Sequence, residues 1–105
     1  NIDSVCTTAD SMAQGAQRAI ETAGRSIPVL GFDGTIPVAE QTAEGKFLGT
    51  VAQDPYNMGV VGVDMAIKAA RGEDVEARID TGSTMVTKEN AAEFVADLKQ
   101  LMGES

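Results

Sequence analysis

Apolar residues along this chain follow two patterns: short continuous runs, and longer stretches in which they recur every three or four positions. Short runs predict strands, and the recurring spacing predicts helices with one apolar face. The strands are predicted at residues 2–8, 27–32, 47–52, 78–81 and 84–87. The helices are predicted at residues 10–24, 37–45, 55–72 and 90–102.

Several residues at the ends of these elements have known positional preferences. Asp10 and Ser11 favour the N-cap of the first helix, because their side-chain oxygens accept hydrogen bonds from free backbone N–H groups. Gly24 is placed to end that helix, since glycine adopts a positive φ without strain. Pro37 suits the first turn of the second helix. Cys6, on the first predicted strand, is expected to be buried as a small apolar residue.

The elements follow one another in the order β-α-β-α-β-α-β-β-α. Strands that are separated by helices pair in parallel through right-handed crossovers. We therefore predict an α/β fold in which helices flank a parallel sheet. The run at 27–32 shows little alternation with polar residues, as expected for a strand that is covered on both faces.

Charge and residue types exclude several functions. The 105 residues carry a net charge of −8, which opposes binding to the phosphates of nucleic acids. The chain has no histidine and one cysteine, so it cannot form a Ser–His or Cys–His catalytic pair, a histidine-based metal site or an intrachain disulfide. We expect no catalytic residue, no metal and no cofactor. No apolar segment reaches the roughly 20 residues that are needed to cross a bilayer.

Polar and aromatic residues follow the first three predicted strands. They are Thr7 and Thr8 after the first strand, Phe32 and Asp33 after the second, and Gln53 and Asp54 after the third. Ligands of open α/β sheets bind at the carboxyl ends of the strands. Carboxylates and amides hydrogen-bond hydroxyl groups and an aromatic ring covers C–H surface, so this set suits a polyol. Position alone favours structural roles instead, with Asp33 capping the next helix, Phe32 in the core and Gln53 solvated.

Three stretches resemble the ribose-binding class of periplasmic binding proteins. They are ADSMAQGA at 9–16, VLGFDGT at 29–35 and EGKFLGTVAQDP at 44–55. The similarity runs over about the whole chain, and it implies the type I binding-protein fold. It also implies that the protein binds a small neutral sugar or sugar alcohol and delivers it to the membrane permease of an ABC importer. The location that it implies is the periplasm, or a lipid-anchored extracellular position in a Gram-positive source.

The resemblance also implies roles for individual residues. Asp33 matches the carboxylate that accepts hydrogen bonds from sugar hydroxyls, Phe32 matches the aromatic residue beside it, and Gln53 matches an amide near the hinge. Ala9 stands where the family usually has a sugar-contacting Asn. This departure disfavours ribose itself and indicates another pentose, a hexose or a sugar alcohol.

In this family the chain crosses between two lobes. The resemblance therefore assigns residues 1–53 to the C-terminal lobe, residues 54–83 to a segment that crosses to the N-terminal lobe, and residues 84–105 to a return segment with the C-terminal helix. On this basis the chain is expected to be a fragment, with an N-terminal segment of the same protein as its partner. We expect no autonomous sugar binding from it, because the ligand lies between both lobes.

Two alternatives belong to other functional classes. Lobes of the same fold form the effector-binding domains of sugar-responsive LacI-type repressors, although the sequence shows no helix-turn-helix segment. An Asp at a strand end is also the phosphoacceptor of receiver domains, and Asp33 is placed for that role. The paired acidic cluster that receiver domains carry after their first strand is missing here.

Overall fold

The computed structural model describes residues 1–103, in which strands and helices alternate. The strands are β1 (Val5–Cys6), β2 (Val29–Asp33), β3 (Gly49–Gln53) and β4 (Ser83–Val86). The helices are α1 (Asp10–Thr22), α2 (Ile36–Ala43), α3 (Pro55–Ala70) and α4 (Ala91–Leu101). The predicted α/β class and all four predicted helices are confirmed. The helices of residues 1–103 all fall short of the length and hydrophobicity that a bilayer-spanning helix needs.

The four strands form one sheet in the order β1-β2-β3-β4. β1 pairs in parallel with β2, with Val5 opposite Val29. β2 pairs in parallel with β3, with Gly31 opposite Thr50 and Asp33 opposite Ala52. The carboxyl ends of β1, β2 and β3 therefore reach the same edge of the sheet.

The chain divides into two compact units. The first contains Asn1–Ala52 together with the described residues from Met85 onward, and the second contains Gln53–Thr84. The first unit thus holds β1, β2, nearly all of β3, the end of β4 and the helices α1, α2 and α4. The second unit holds α3 and the segment that follows it.

The core of the first unit consists of two clusters of buried residues. One cluster contains Ala39, Ala52, Val86, Ala91 and Val95. The other contains Ala13, Val29, Val38 and Phe47. Helix α2 supplies one residue to the first cluster and one to the second, so it packs against both. The small side chains allow the helices to approach the sheet closely.

The second unit is organised around the beginning of α3. The Asp54 carboxylate caps this helix by accepting a hydrogen bond from the Asn57 N–H at 2.9 Å. The Asn57 side-chain amide in turn donates to the Thr81 carbonyl at 3.2 Å, which ties the following segment to the helix. None of the residues in α3 is buried by the described part of the chain.

Three predictions about local structure are wrong. Residues 78–81 belong to none of the four described strands, because a strand needs a hydrogen-bonded neighbour and the four strands pair only among themselves. The N-cap of α1 is Ala9 rather than Asp10, whose side chain is buried. Cys6 is exposed, because side chains alternate along a strand and Val5 is the residue of β1 that packs on the core.

The packing of α2 predicts the effect of a core substitution. Val38 is fully buried, so Val38→Ala is expected to lower the free energy of unfolding by about 2 kcal/mol, through lost apolar burial and the remaining cavity. Leu48→Ala is the control, because 60% of Leu48 is exposed and its loss is expected to change stability by less than about 0.5 kcal/mol. Urea denaturation measures both. Equal effects of the two substitutions would contradict this description of the core.

Candidate functional site

The end of β2 carries an aromatic residue and a carboxylate side by side. Phe32 belongs to neither core cluster and 36% of its surface is exposed, so its interpretation as a core residue is wrong. Asp33 is half-buried. The N-cap of α2 is Thr35. The alternative prediction that Asp33 caps this helix is therefore wrong.

The backbone of Asp33 has an unusual conformation. Its φ is 130°, and it is the one described residue other than glycine with a positive φ. A non-glycine residue held in such a region costs about 1–3 kcal/mol and persists only where the surrounding structure enforces it. Conformational strain of this kind occurs frequently at binding and active sites, so it marks Asp33 as a functional candidate.

Gly34 continues the turn at the end of β2. Its φ is 76°, and a Cβ placed on it would clash with the Ala52 side chain and lie 2.8 Å from the Ala52 Cα. The same Cβ would lie 3.2 Å from the Phe94 ring. Only glycine fits here, so the turn after Asp33 is packed directly against β3 and α4.

The third strand ends with the predicted amide. Gln53 is the last residue of β3 and the first residue of the second unit, and it is half-buried. Asp33 lies opposite Ala52 in the parallel ladder, and Ala52 immediately precedes Gln53. Asp54 uses its carboxylate to cap α3, which explains this residue without a ligand.

The connection between β1 and α1 is built by hydrogen bonds to the backbone. The Thr7 hydroxyl lies 3.0 Å from the Ala9 carbonyl and 3.2 Å from the Leu30 carbonyl. The Thr8 hydroxyl lies 3.6 Å from the sulfur of Met12. The hydroxyl of Thr7 thus shapes the loop that leads into α1.

Ala9 lies at the start of α1 on this edge. It is the N-cap residue, with extended backbone and no capping hydrogen bond from its side chain. Its carbonyl accepts the N–H of Ala13 at 3.1 Å, so the helix begins normally without a polar side chain at this position. An Asn here would add both a donor and an acceptor, which Ala9 lacks.

Asp10 is the residue of this edge whose role the sequence did not reveal. Only 1% of its surface is exposed, and its carboxylate accepts hydrogen bonds from the Thr35 N–H (2.7 Å), the Thr35 hydroxyl (2.8 Å) and the Thr50 hydroxyl (2.7 Å). An acidic residue at a helix start predicts an N-cap. The residues around Asp10 in the sequence do not show whether its carboxylate caps the helix or is buried and accepts hydrogen bonds from distant segments.

Two carboxyl groups with lowered pKa values lie outside this edge. Hydrogen bonds from the side chains of Gln17 and Lys46 lower the pKa of Glu21, near the end of α1. A hydrogen bond from the Thr87 side chain lowers the pKa of Glu89, in the turn before α4. Neither group belongs to the candidate site. Within residues 1–103, no cluster of three or more His, Cys, Asp or Glu side chains could hold a metal ion.

In this parallel α/β unit, the carboxyl ends of the strands carry an acidic residue with a strained backbone, Asp33, and an exposed aromatic ring, Phe32. Such an arrangement is typical of a protein that binds a small polar ligand. The family described as "Periplasmic binding protein domain" matches residues 1–74 of this sequence. The chain belongs to this family.

Similarity to individual proteins agrees with this assignment. The ribose import binding protein of Escherichia coli strain K12 is 39% identical over 90 residues, which are 85% of this chain and 30% of that protein. A Mycobacterium smegmatis structure in complex with β-D-fucofuranose has a TM-score of 0.84 and 30% identity, over 98% of this chain and 35% of that one. A Bacillus halodurans ABC transporter solute-binding protein with bound myo-inositol has a TM-score of 0.78 and 41% identity, over 91% of this chain and 34% of that one. This chain thus spans about a third of the length of these relatives.

The close packing of the turn after Asp33 can be tested with two glycines. Gly34→Ala is expected to destabilise the protein by several kcal/mol, because the new methyl group meets Ala52 in addition to the backbone strain. Gly24 has a similar φ of 67°, but a Cβ placed on it would have nothing within 4 Å, so Gly24→Ala is expected to cost only about 1 kcal/mol. Thermal or urea unfolding compares the two variants. Equal losses would show that the approach to β3 is looser than described.

Proposed function

We propose that this chain forms part of a solute-binding protein that binds a small neutral sugar or sugar alcohol and delivers it to the membrane permease of an ABC importer. The observation that carries the proposal is the strained Asp33, held beside the exposed ring of Phe32 at the carboxyl edge of the sheet. The proposed location is the periplasm, or a lipid-anchored extracellular position in a Gram-positive source.

In this proposal each site residue has a chemical task. Asp33 accepts hydrogen bonds from sugar hydroxyls, because a carboxylate offers two oxygens with several lone pairs. Phe32 covers the C–H surface of the ring. Gln53 donates and accepts through its amide. Ala9 leaves space and no polar group near the start of α1, which favours a ligand other than ribose.

The ligands of the relatives support this substrate class. Among the relatives described above, one is a ribose import protein, and two structures hold a furanose sugar and a cyclic polyol. These compounds are small, uncharged and rich in hydroxyl groups. None of the proposed contacts requires an activated nucleophile or a general base, so the proposed protein binds its ligand and releases it unchanged.

The proposed protein has two lobes, to which this chain contributes unequally. We assign residues 1–53 to the C-terminal lobe, residues 54–83 to a segment of the N-terminal lobe, and residues 84–105 to a return segment. Along the chain, the division between the two compact units falls between Ala52 and Gln53 and between Thr84 and Met85, which supports this assignment.

Helix α3 supports the same assignment. Its larger apolar residues lie on two opposite sides of the helix: Met58, Val61 and Met65 on one side, and Val60, Val63 and Ile67 on the other. A helix with apolar residues on opposite sides is normally enclosed by other protein, yet nothing in α3 is buried by the described residues. We infer that an N-terminal segment of the same protein covers this helix.

Substitutions of Asp33 test the proposed ligand contact. Asp33→Asn is expected to weaken sugar binding about 100-fold, because charge-assisted hydrogen bonds to hydroxyls are lost in a closed site. Asp33→Gly is expected to abolish binding while keeping the turn, since glycine tolerates the positive φ. Calorimetry with a panel of pentoses, hexoses, inositols and alditols measures affinity, and urea denaturation measures stability.

Asp97→Asn provides the matched control for these variants, because Asp97 is exposed on α4. Its affinity is expected to equal that of the unaltered protein. The ligand recovered after prolonged incubation is expected to be chemically unchanged. Full sugar affinity in Asp33→Asn, or conversion of the ligand that depends on Asp33, would overturn the proposal.

Hydrogen exchange tests the proposed covering of α3. Residues 1–105 are expressed alone and, separately, together with the sequence that the gene places before residue 1. The amides of α3 are expected to exchange at least about 10-fold more slowly in the longer protein, because burial suppresses local opening. The amides of α1 in the first unit serve as the internal reference.

Sugar binding by the two forms tests the same division. Residues 1–105 alone are expected to show no micromolar sugar binding. Equal protection of α3 in both forms, or tight sugar binding by the short form, would contradict the division into lobes.

A further inference from the structure

The buried Asp10 carboxylate connects three segments that are far apart in the sequence. It starts α1, and it accepts hydrogen bonds from Thr35 before α2 and from Thr50 in β3. A Cβ on Gly31 would overlap the Asp10 carboxylate oxygen, so this carboxylate also lies directly against β2. The carboxylate is therefore enclosed by the elements that form the candidate binding edge.

The same hydrogen bonds hold the turn that follows Asp33. The Thr35 N–H donates directly to Asp10 at 2.7 Å. The Gly34 N–H donates to the Thr50 hydroxyl at 3.2 Å, and that hydroxyl donates to Asp10 at 2.7 Å. Both backbone N–H groups after Asp33 are thus tied, one directly and one through Thr50, to the same carboxylate.

These hydrogen bonds can restrain the backbone of Asp33 in its positive-φ conformation. A residue other than glycine leaves a positive φ unless its neighbours are fixed. The two residues after Asp33 are fixed by hydrogen bonds to groups that are almost completely buried, namely Asp10 and Thr50. Such hydrogen bonds are shielded from competing water and are correspondingly strong.

We propose that Asp10, acting through Thr35 and Thr50, is a positioning residue that sets the backbone of Asp33 and thereby the affinity for ligand. This inference rests on the proposed function of Asp33 as the ligand carboxylate. Asp10 itself does not contact the ligand, because its carboxylate oxygens are engaged by the two threonines and removed from solvent.

The experiment uses threonine variants, because a substitution of Asp10 itself would leave several buried donors without acceptors. Thr50→Val keeps the shape of the side chain and removes the hydroxyl. This hydroxyl accepts a hydrogen bond from the Gly34 N–H and donates one to Asp10. Thr50→Ser keeps the hydroxyl and tests for rescue. Thr42→Val is the matched control, since Thr42 is equally buried but its hydroxyl donates only to the Val38 carbonyl within α2. All variants are made in the protein that carries the sequence its gene places before residue 1.

Two measurements are made on each variant. Calorimetry with the sugar panel gives the affinity, and the three-bond HN–Hα coupling of Asp33 in NMR spectra gives its φ. This coupling is small near a φ of 130° and large in ordinary extended backbone. Thr50→Val is expected to raise the coupling and to weaken sugar binding about 10-fold, which corresponds to about 1.4 kcal/mol. Thr50→Ser is expected to keep the sugar affinity to within about threefold and to leave the Asp33 coupling small. Thr42→Val is expected to change neither the affinity nor the coupling.

The two readouts separate this inference from the proposed function. An unchanged Asp33 coupling in Thr50→Val overturns the positioning role, and so does a changed coupling with unchanged affinity. An equal loss of affinity in Thr42→Val overturns it as well, because general destabilisation would then explain the effect. If the unaltered protein binds no compound of the panel, the proposed function fails, and the coupling still decides whether Asp10 and Thr50 hold the backbone of Asp33.

Discussion

A single carboxylate that is withdrawn from water organises the first unit. Burying a charge is costly unless it is fully hydrogen-bonded, and Asp10 meets this condition with three hydrogen bonds to Thr35 and Thr50. Those partners are 25 and 40 residues away along the chain. The carboxylate therefore makes directional contacts between distant segments, whereas apolar packing has no preferred direction. From the start of α1, this carboxylate contacts β2 at Gly31, the start of α2 at Thr35 and β3 at Thr50.

The helices were predictable from apolar spacing in α1 and α4, and from a proline near the start of α2 and of α3. The arrangement of the strands in a parallel sheet followed from the alternation of strands and helices. The errors arose where a single residue has two possible environments. An Asp at a helix start suits both a cap and a buried acceptor, and Asp10 takes the second because Thr35 and Thr50 meet it there. Residues 78–81 have the composition of a strand, but pairing is a property of neighbours and not of the segment itself.

The candidate residues came from strand ends and residue types alone. Phe32 and Asp33 do lie at the end of β2 and Gln53 at the end of β3, and their contact with a ligand stays a prediction. The positive φ of Asp33 could not be anticipated, because it is enforced by Gly34 and by hydrogen bonds from other elements. Family resemblance suggested roles for these residues, whereas the structure shows that one of them, Asp33, has an unfavourable backbone conformation.

The start of α1 places two neighbouring positions under opposite constraints. Asp10 is enclosed on all sides, whereas Ala9 contributes no side-chain hydrogen bond and belongs to neither core cluster. Substitution at position 9 is therefore expected to cost less stability than substitution at position 10. In the proposed function, residue 9 borders the ligand. A change of side chain there would alter the proposed ligand contacts while leaving the core of the first unit intact.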